Sequence, residues 1–270
     1  MIRPAAVAGS FYESSPEMLR RHVEALLPGG VQRVKALGAI VPHAGYVYSG
    51  PVAAQVYARL QVPRTVVILC PNHTGRGAPA AIDPSDAWRT PLGDVPVNRR
   101  LASRLAELAP SLEADSRAHE REHSLEVQLP FLQIVAPEVE IVAVCLGISD
   151  LSLCAEVGEA LAKLRREEEE AGRTPPLLLA SSDMNHYESR TAGRRKDDLA
   201  LARVEALDPE GLFATVVAES ISMCGFLPAT ALLFAAREAG IASARVVARA
   251  DSGDETGDTS SVVGYAGVLV

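Results

Sequence analysis

The sequence predicts an α/β fold: a single domain of three layers, in which helices cover both faces of a mixed or mainly parallel central sheet. Short apolar runs rich in β-branched residues, such as residues 66–70, are typical of strands buried on both faces. Such runs alternate with amphipathic helical segments along the chain. Because no composition shift and no internal repeat divides them, residues 1–270 are expected to form one domain.

Capping and turn residues predict the element boundaries in the first half of the chain. Ser15-Pro16-Glu17 combines an N-cap, a proline in the first helical position and an acid in the first turn, which predicts a helix that continues to Leu27. Residues 88–98 have the pattern of a hairpin. The other predicted elements here are strands over residues 37–41, 66–70 and 78–82, a helix ending near residue 60, and helices over residues 99–108 and 120–136, the last kinked or divided by Pro130.

The second half of the chain continues the alternation. Strands are predicted over residues 139–146, 177–180, 245–249 and 261–270, and helices over residues 150–170, 194–207, 209–218 and 224–239. The four glutamates at 167–170 are interpreted as a solvated helix end. The acidic stretch 251–258 lacks the spacing of an EF-hand loop, which favours a polar turn over a calcium site.

Three predicted strands each run directly into a turn that contains a histidine: residues 37–41 lead to His43, residues 66–70 to His73, and residues 177–180 to His186. Open α/β sheets bind their ligands just outside the carboxyl ends of the strands. A single histidine in a turn is more often a structural hydrogen-bonding residue, but three on one rim favour metal binding or proton transfer. The sequence therefore predicts a rim cleft that binds a small molecule or a peptide.

Cys224 stands just before the apolar run 226–234, so it is expected at the start of a helix. Unpaired amides and the positive end of the helix dipole stabilise a thiolate there, although a buried thiol without function explains this residue alone equally well. Beside two rim histidines, Cys224 becomes a candidate third metal ligand. Cys70 and Cys145 end apolar runs and are expected to be buried free thiols without function.

Asp183 precedes His186 by three residues, and a helical turn would place both side chains on one face. The carboxylate would then orient the imidazole or reach a metal-bound water, with helix capping as the structural alternative. His119 and His123 have the spacing of the zinc motif HExxH, but they lie at a polar helix entrance. We expect His123 to line the pocket and His119 to be exposed.

Composition narrows the class of protein. A hydrophobic fraction of 48% in 270 residues is enough for a large core without disulfides. A net charge of −8 argues against a general nucleic-acid binder or a binder of anionic membranes. No segment approaches the roughly 18 apolar residues of a membrane helix, and the first residues lack the apolar core of a signal peptide. The cytoplasm is therefore the expected compartment.

Motifs spread over nearly the whole chain resemble those of the Memo family: RPAAVAGSFY, IVPHAGYVYSG, LCPNHTG, TPLGDVPVN, EHSLEVQLPFLQ, SSDMNHY and CGFLPATAL. Animal members of this family are named as mediators of cell motility, and prokaryotic members belong to the set called AmmeMemoRadiSam. The resemblance implies a fold similar to that of class III extradiol dioxygenases, the non-haem iron enzymes that open catechol rings. It also implies a functional link to the other AmmeMemoRadiSam components.

By motif, the resemblance implies that His43, His73 and Cys224 form the family's metal triad, and that Asp183 and His186 line the same pocket. The dioxygenases use two histidines and a glutamate. A thiolate is softer than a carboxylate, which widens the choice of metal from Fe(II) towards copper and zinc. A thiolate is also oxidisable, so ring-opening activity does not follow from the fold.

These residues support three functional hypotheses. The leading one is a cytoplasmic, iron-binding, dioxygenase-like oxidoreductase, in which His186 is the general acid or base and Asp183 orients it. The second is a non-catalytic module that binds a metal or a peptide in the same cleft. The third is a hydrolase that uses a zinc-activated water or Cys224 as nucleophile.

Overall fold

The computed structural model describes all 270 residues. The strands are β1 (Ile2–Arg3), β2 (Gly38–Val41), β3 (Thr65–Pro71), β4 (Ala80–Ile82), β5 (Ala87–Thr90), β6 (Gly93–Pro96), β7 (Glu113–Ala114), β8 (Glu140–Leu146), β9 (Leu177–Ser181), β10 (His186–Glu188), β11 (Arg245–Asp251) and β12 (Val262–Leu269). The helices are α1 (Pro16–Leu26), α2 (Tyr46–Tyr57), α3 (Arg99–Leu108), α4 (His123–Glu126), α5 (Leu129–Val135), α6 (Leu151–Glu170), α7 (Arg190–Glu205), α8 (Pro209–Ala218), α9 (Phe226–Glu238) and α10 (Gly253–Thr256). None of them combines the length and the apolar character needed to cross a membrane.

A nine-stranded sheet has the order β10-β12-β2-β9-β3-β8-β4-β7, and β11 also pairs with β12. Its centre, from β2 to β8, is parallel. β4 pairs antiparallel with β8, and β12 pairs antiparallel with β2, β10 and β11, so the sheet is mixed, as predicted. A second, small sheet contains β1, β5 and β6, and the last two form the predicted hairpin.

Alternate residues of the central strands face two separate hydrophobic cores. In β3, Val67 and Leu69 belong to the core that contains α6 and α9, whereas Val66 and Ile68 belong to the core that contains α2 and α5. All seven residues of β3 are buried, which explains its unbroken apolar sequence. Helices therefore cover both faces of the sheet, and the predicted three-layer α/β/α architecture is confirmed.

Local capping residues begin several helices where the sequence predicts them. The Ser15 hydroxyl accepts from the backbone of Met18 at the start of α1, and Pro16 follows it in the first turn. Pro130 divides the segment predicted over residues 120–136 into the two short helices α4 and α5. It lies in the first turn of α5, because a proline lacks the N–H that would continue a preceding helix.

Two acidic segments differ from expectation. The interpretation of residues 167–170 as a purely solvated helix end is wrong, because Glu168 is buried and forms paired hydrogen bonds with both Arg100 and Arg173. The helix α6 packs against α3, which contains Arg100. The Glu168 carboxylate in α6 neutralises the guanidinium groups of Arg100 and Arg173. The acidic stretch 251–258 contains the short helix α10 rather than only a turn.

Candidate metal centre

The carboxyl ends of β2, β9 and β3 lie side by side, because these strands are adjacent and parallel. The turn after β2 carries His43, the turn after β3 carries His73, and the turn after β9 carries Asp183. With Cys224 and His186, they line a cleft of about 770 Å³. The predicted adjacency of the three strands is therefore confirmed, and their turns share one rim, where open sheets bind ligands.

His43, His73 and Cys224 converge in this cleft. Their candidate ligand atoms all lie within 4.8 Å of one another. The Nε2 atom of His43 is 3.1 Å from the Sγ atom of Cys224, and the two imidazole rings meet edge to face, with centroids 5.2 Å apart. The structure thus brings together the three residues that the sequence analysis named as metal ligands.

In both histidines the Nδ1 atom is engaged by a residue behind the ring, which leaves Nε2 available to the cleft and, in His43, in contact with Cys224. His73 Nδ1 lies 2.8 Å from Glu122 Oε1, and a carboxylate oxygen can only accept. His43 Nδ1 lies 2.9 Å from Ser181 Oγ, which donates its single proton to the Ser124 carbonyl at 2.6 Å. In the neutral rings, both Nδ1 atoms therefore carry the proton and both Nε2 atoms present a lone pair.

Burial determines the charge of the cleft histidines. It lowers the pKa of His43 well below the ordinary value, and repulsion from His123 and His73 lowers it further. Burial also lowers the pKa of His123 to about 4 and lowers the pKa of His186. His43, His123 and His186 are consequently neutral at pH 7, the state in which an imidazole binds a metal or accepts a proton.

Cys224 precedes α9, at the predicted helix start. The Asp183 N–H donates to its Sγ atom over 3.3 Å. Burial and the Asp183 carboxylate nevertheless raise the pKa of the Cys224 thiol well above its ordinary value. Backbone hydrogen bonds, including those of Asp183 and Gly225, favour the thiolate as expected at a helix start, but burial outweighs them. A cation bound to the sulfur would supply the missing stabilisation.

Gly225 allows Cys224 to approach the end of β9. A Cβ atom at position 225 would lie 2.2 Å from the Ser181 carbonyl oxygen and 2.5 Å from Ser182 Cβ. The Gly225 N–H donates to the Ser182 hydroxyl at 3.1 Å, which locks this close approach. Glycine is thus required at the point where the cysteine turn crosses the strand end.

His186 and Asp183 both line the cleft, but not in the expected arrangement. His186 begins β10 instead of lying on a helical turn. The Ser222 carbonyl accepts from His186 Nδ1 at 2.9 Å and the Ser222 hydroxyl from the His186 N–H at 2.7 Å. The Asp183 carboxylate accepts from the backbone N–H of His43 at 2.7 Å. It is Ser222, and not Asp183 as expected, that orients His186.

His123 and His119 have separate environments. His123 lines the cleft, as predicted, and its ring stacks on His73 with the centroids 4.7 Å apart. His119 is fully buried against Trp88, so the expectation that it is exposed is wrong. Because only one of the two faces the cleft, they do not form a zinc site of the HExxH type.

Glu122 also lies close enough to His73 and His123 to form a second convergent group. Its oxygens already accept from the ring and backbone of His73 and from Ser124. Burial alone would raise the pKa of Glu122, but these hydrogen bonds outweigh it and lower the pKa to about 2. Glu122 is therefore an anionic support for His73, the arrangement typical of metal-binding histidines.

The donor set fits a transition metal. Two imidazoles and a thiol that loses its proton to a bound cation suit Fe(II), copper and zinc. The free Nε2 atoms of His43 and His73 and the Sγ atom of Cys224 approach from three sequence-distant turns. A mononuclear site held by these three residues would leave further coordination positions for a ligand from the cleft.

Comparison with known proteins identifies the family. A family model described as "Memo-like protein" matches residues 3–269. The chain belongs to the Memo family. MEMO1 family proteins of Methanopyrus kandleri, Pyrobaculum aerophilum and Thermotoga maritima are 41%, 42% and 40% identical to it. These alignments cover 100%, 99% and 100% of this chain and 99%, 98% and 100% of the respective relatives. The family resemblance seen in the sequence motifs is confirmed.

A solved structure shares the fold of this Memo-family chain. An uncharacterised protein from Escherichia coli K12 aligns with a TM-score of 0.58 over 86% of this chain and 98% of its own. The two sequences are 16% identical, so the likeness concerns the fold alone.

Sequence reasoning missed three residues of this Memo-family centre: Glu122, Ser181 and Ser222. Each of them holds one cleft histidine in place. Glu122 and Ser181 stand within motifs that the sequence analysis quoted, so their presence was visible. Which distant histidine each one contacts could not be read from their spacing, because the partners lie on other strands.

Proposed function

We propose that this protein binds a redox-active transition metal, Fe(II) in the first place, through His43, His73 and Cys224. We further propose that it acts as a dioxygenase-like oxidoreductase on a small molecule or peptide held in the rim cleft. One observation carries the proposal: two imidazoles with free Nε2 atoms and one thiol have their ligand atoms within 4.8 Å. Imidazole nitrogens and a sulfur in one cleft are the ligands that such metals prefer.

Two imidazoles and a thiolate suit Fe(II), our first choice, and they also suit copper and zinc, which remain alternatives. A bound Fe(II) would supply electron exchange and open coordination positions for substrate and oxygen. The His43 ring is neutral, so it offers its Nε2 lone pair without first losing a proton. The Cys224 sulfur becomes anionic only on binding a cation, which couples metal uptake to the release of one proton.

His186 has the properties of a general base towards a bound substrate. Its Nδ1 atom donates to the Ser222 carbonyl, so Nε2 carries the lone pair. Burial lowers its pKa, which keeps the ring neutral and able to accept a proton. The ring lines the cleft beside Cys224, so a substrate hydroxyl placed there would find it within reach.

Asp183 is the second residue that we propose for proton handling. Burial raises its pKa to about 7, although the backbone N–H groups of His43 and Ala44 favour the charged form. The carboxyl group of Asp183 therefore takes up a proton more readily near neutral pH than an ordinary aspartate does. Its carboxylate lies with His186 and Cys224 in one group whose ligand atoms are within 4.8 Å, where a gain or loss of its proton would affect both.

The two alternative functions receive less support from the site. A hydrolase with Cys224 as a free nucleophile needs a thiolate, and burial works against its formation. A zinc-water hydrolase and a non-catalytic metal- or peptide-binding module would use the same residues, so experiment must separate them.

We also propose a cytoplasmic location, consistent with four free cysteines, and a functional link to the other AmmeMemoRadiSam components.

The test starts from protein purified without oxygen and analysed for its metal content. Fe(II), Cu(I) and Zn(II) are then titrated into the wild type and into His43→Ala, His73→Ala and Cys224→Ala. His22→Ala is the matched control, because His22 pairs with Glu13 away from the cleft. We expect Fe(II) binding in the wild type and control only, with spectral changes on exposure to oxygen.

Binding of zinc alone, without any redox response, would favour the hydrolase. Ligand binding without turnover would favour the non-catalytic module.

A further inference from the structure

We infer that Glu122, Ser124 and Gln128 act together as a positioning element that fixes the proton of both histidine ligands on Nδ1. This inference rests on the proposed metal centre and adds to it three residues that lie outside the cleft lining. All three are buried, and all belong to the EHSLEVQ stretch, which the triad itself does not use. We call them the brace.

Glu122 holds His73 at two points. Its Oε1 atom accepts from the ring Nδ1 at 2.8 Å, and its Oε2 atom accepts from the backbone N–H at 2.6 Å. The first contact sets the rotation of the ring and the second sets the position of the main chain. The backbone N–H and the hydroxyl of Ser124 also donate to Oε1, at 3.0 and 2.6 Å. Every neighbour is thus a donor, and Glu122 remains an acceptor.

Gln128 determines the proton positions beside His43. Its Nε2 atom donates to the Pro42 carbonyl at 3.0 Å, and its other N–H points to Ser181 Oγ at 2.9 Å. The Tyr57 hydroxyl donates to Gln128 Oε1 at 2.7 Å. Because the Pro42 carbonyl can only accept, the orientation of the amide is determined by its partners.

Ser124 connects the two halves of the brace. Its N–H and hydroxyl bind Glu122, while its carbonyl accepts the hydroxyl proton of Ser181 at 2.6 Å. The Ser181 oxygen then has two lone pairs, one for Gln128 and one for His43 Nδ1 at 2.9 Å. No other proton arrangement satisfies the carbonyls of both Ser124 and Pro42, so the neutral His43 ring must donate from Nδ1.

The two histidine ligands donate their Nδ1 protons to different kinds of acceptor. His73 donates to a buried carboxylate, whereas His43 donates to a hydroxyl. A charge-assisted hydrogen bond is the stronger of the two kinds, and an anion behind an imidazole makes its far nitrogen a better donor to a metal. We therefore expect His73 to be the stronger ligand, and loss of the Glu122 charge to weaken metal binding more than loss of the Ser181 hydroxyl.

Glu122→Gln is a sharp probe because the amide cannot replace both carboxylate oxygens. Each oxygen accepts from a backbone N–H, of His73 on one side and of Ser124 on the other, and neither backbone donor can be reversed. With its NH₂ in the Oε1 position, the amide would donate to His73 Nδ1, and the ring proton would move to Nε2, the nitrogen that faces the metal. With its NH₂ in the Oε2 position, the amide would oppose the backbone N–H of His73, while its oxygen would still accept from Nδ1. The variant should therefore mix the two tautomers of His73 and remove the charge behind the ring.

The experiment has two readouts. The first is ¹⁵N NMR of histidine-labelled, metal-free protein at one fixed pH, where Nδ1–H and Nε2–H tautomers give different ring shifts. The second is anaerobic titration with Zn(II) and Fe(II). In Glu122→Gln we expect a population of the Nε2–H tautomer at His73 and metal affinity lower by about 10- to 100-fold, the usual effect of losing such a partner.

Two matched controls remove a carboxylate charge from the same stretch without touching a histidine ligand. Glu120→Gln changes an exposed residue that pairs with Arg76. Glu126→Gln changes a buried residue that instead binds Arg3, Tyr12 and the N-terminal segment. Both should keep the Nδ1–H tautomer at His73. A tautomer change in Glu126→Gln equal to that in Glu122→Gln would show a general effect of burial and overturn the inference.

A second pair of variants tests the brace if Glu122→Gln does not fold. Ser181→Ala removes the acceptor for His43 Nδ1 and should lower metal affinity, whereas Ser181→Thr keeps the hydroxyl and should restore the His43 tautomer. Wild-type tautomers in Ser181→Ala, or wild-type tautomers together with wild-type metal affinity in Glu122→Gln, would overturn the inference and leave the metal centre standing. Changed tautomers, with metal binding indifferent to His43, His73 and Cys224, would instead refute the proposed metal centre.

Discussion

The Nε2 atom of His43 lies 3.1 Å from the Sγ atom of Cys224, although 181 positions separate the two residues in the chain. The contact joins the turn after β2 to the turn before α9. Both side chains are tied from behind, His43 through Ser181 and Cys224 through the backbone N–H of Asp183. The free atoms of the two side chains therefore face each other and His73, which makes this pair the most direct test of the centre.

Replacement of Cys224 by serine should weaken metal binding by more than about 100-fold, since even the loss of an outer partner typically reduces affinity 10- to 100-fold. Serine removes the soft sulfur with little change in volume, so the free energy of unfolding should stay close to that of the wild type. Anaerobic titration with Fe(II) and Zn(II), together with urea denaturation, measures both quantities.

An unchanged affinity in Cys224→Ser would remove the thiolate from the triad. Asp183 would then be the candidate anionic ligand, since its carboxylate shares a convergent group with Cys224 and His186. The site would then resemble the two-histidine, one-carboxylate centre of non-haem Fe(II) oxygenases, which favours oxygen chemistry.

Replacement of His186 by glutamine should reduce metal affinity by no more than about 10- to 100-fold while removing the general base. His186 lines the cleft, but its Nδ1 atom is tied to Ser222 and it is not one of the three proposed ligands. Anaerobic titration of His186→Gln and His73→Gln with Fe(II) compares a proposed general base with a proposed metal ligand. Equal loss of affinity in both variants would make His186 a ligand.

Gly225→Ala should destabilise the protein by about 1–3 kcal/mol, the usual range for overpacking a close contact. The added Cβ atom would lie 2.2 Å from the Ser181 carbonyl oxygen, and backbone must move to avoid it. Gly29→Ala is the control, because nothing lies within 4 Å of its added Cβ. Urea denaturation gives the free energies; equal stability of the two variants would show that the turn before α9 adapts freely.

Glu168 should contribute to stability in a pH-dependent way. Hydrogen bonds from Arg100 and Arg173 lower its pKa to about 2, below the value of about 4.5 expected in the unfolded chain. Its stabilising effect is therefore complete above pH 4.5 and is lost as the pH falls towards 2. We expect Glu168→Gln to remove about 1–2 kcal/mol of this pH dependence, since the partly exposed guanidinium groups are screened by solvent.

Denaturation of Glu168→Gln and of Glu170→Gln at several pH values between 2 and 6 tests this expectation. Glu170 lies on the same helix end, is exposed, and should leave the acid dependence unchanged. The opposite ranking of the two variants would place the acid-sensitive interaction elsewhere.

Thiol labelling of the native protein should modify Cys224 before the other three cysteines. Cys70, Cys145 and Cys154 are fully buried, whereas Cys224 is partly exposed in the cleft. Mass spectrometry of tryptic fragments after short reaction times gives the order of labelling. Metal binding should protect Cys224 and leave the remaining rates unchanged. Rapid labelling of Cys70 would contradict the buried position of β3.

The sequence by itself determined the α/β class, the adjacency of three histidine- or aspartate-bearing turns, and the membership of the Memo family. The secondary structure could be predicted from short sequence patterns. A run of β-branched residues, as in β3, indicates a buried strand, and prolines such as Pro16 and Pro130 indicate helix starts. Parallel strands bring their carboxyl ends to one rim, so the strand pattern was enough to predict His43 and His73 on the same rim.

Only the tertiary structure decided how the side chains of that rim are held and charged. Ser222 rather than Asp183 orients His186, Glu122 supports His73, and His119 is buried although its neighbours are polar. The pKa of the Cys224 thiol is raised because burial outweighs the backbone hydrogen bonds that favour the thiolate. These outcomes depend on contacts between elements that are far apart in the chain and on the exclusion of water from those contacts. A local sequence pattern specifies neither the contacts nor the burial.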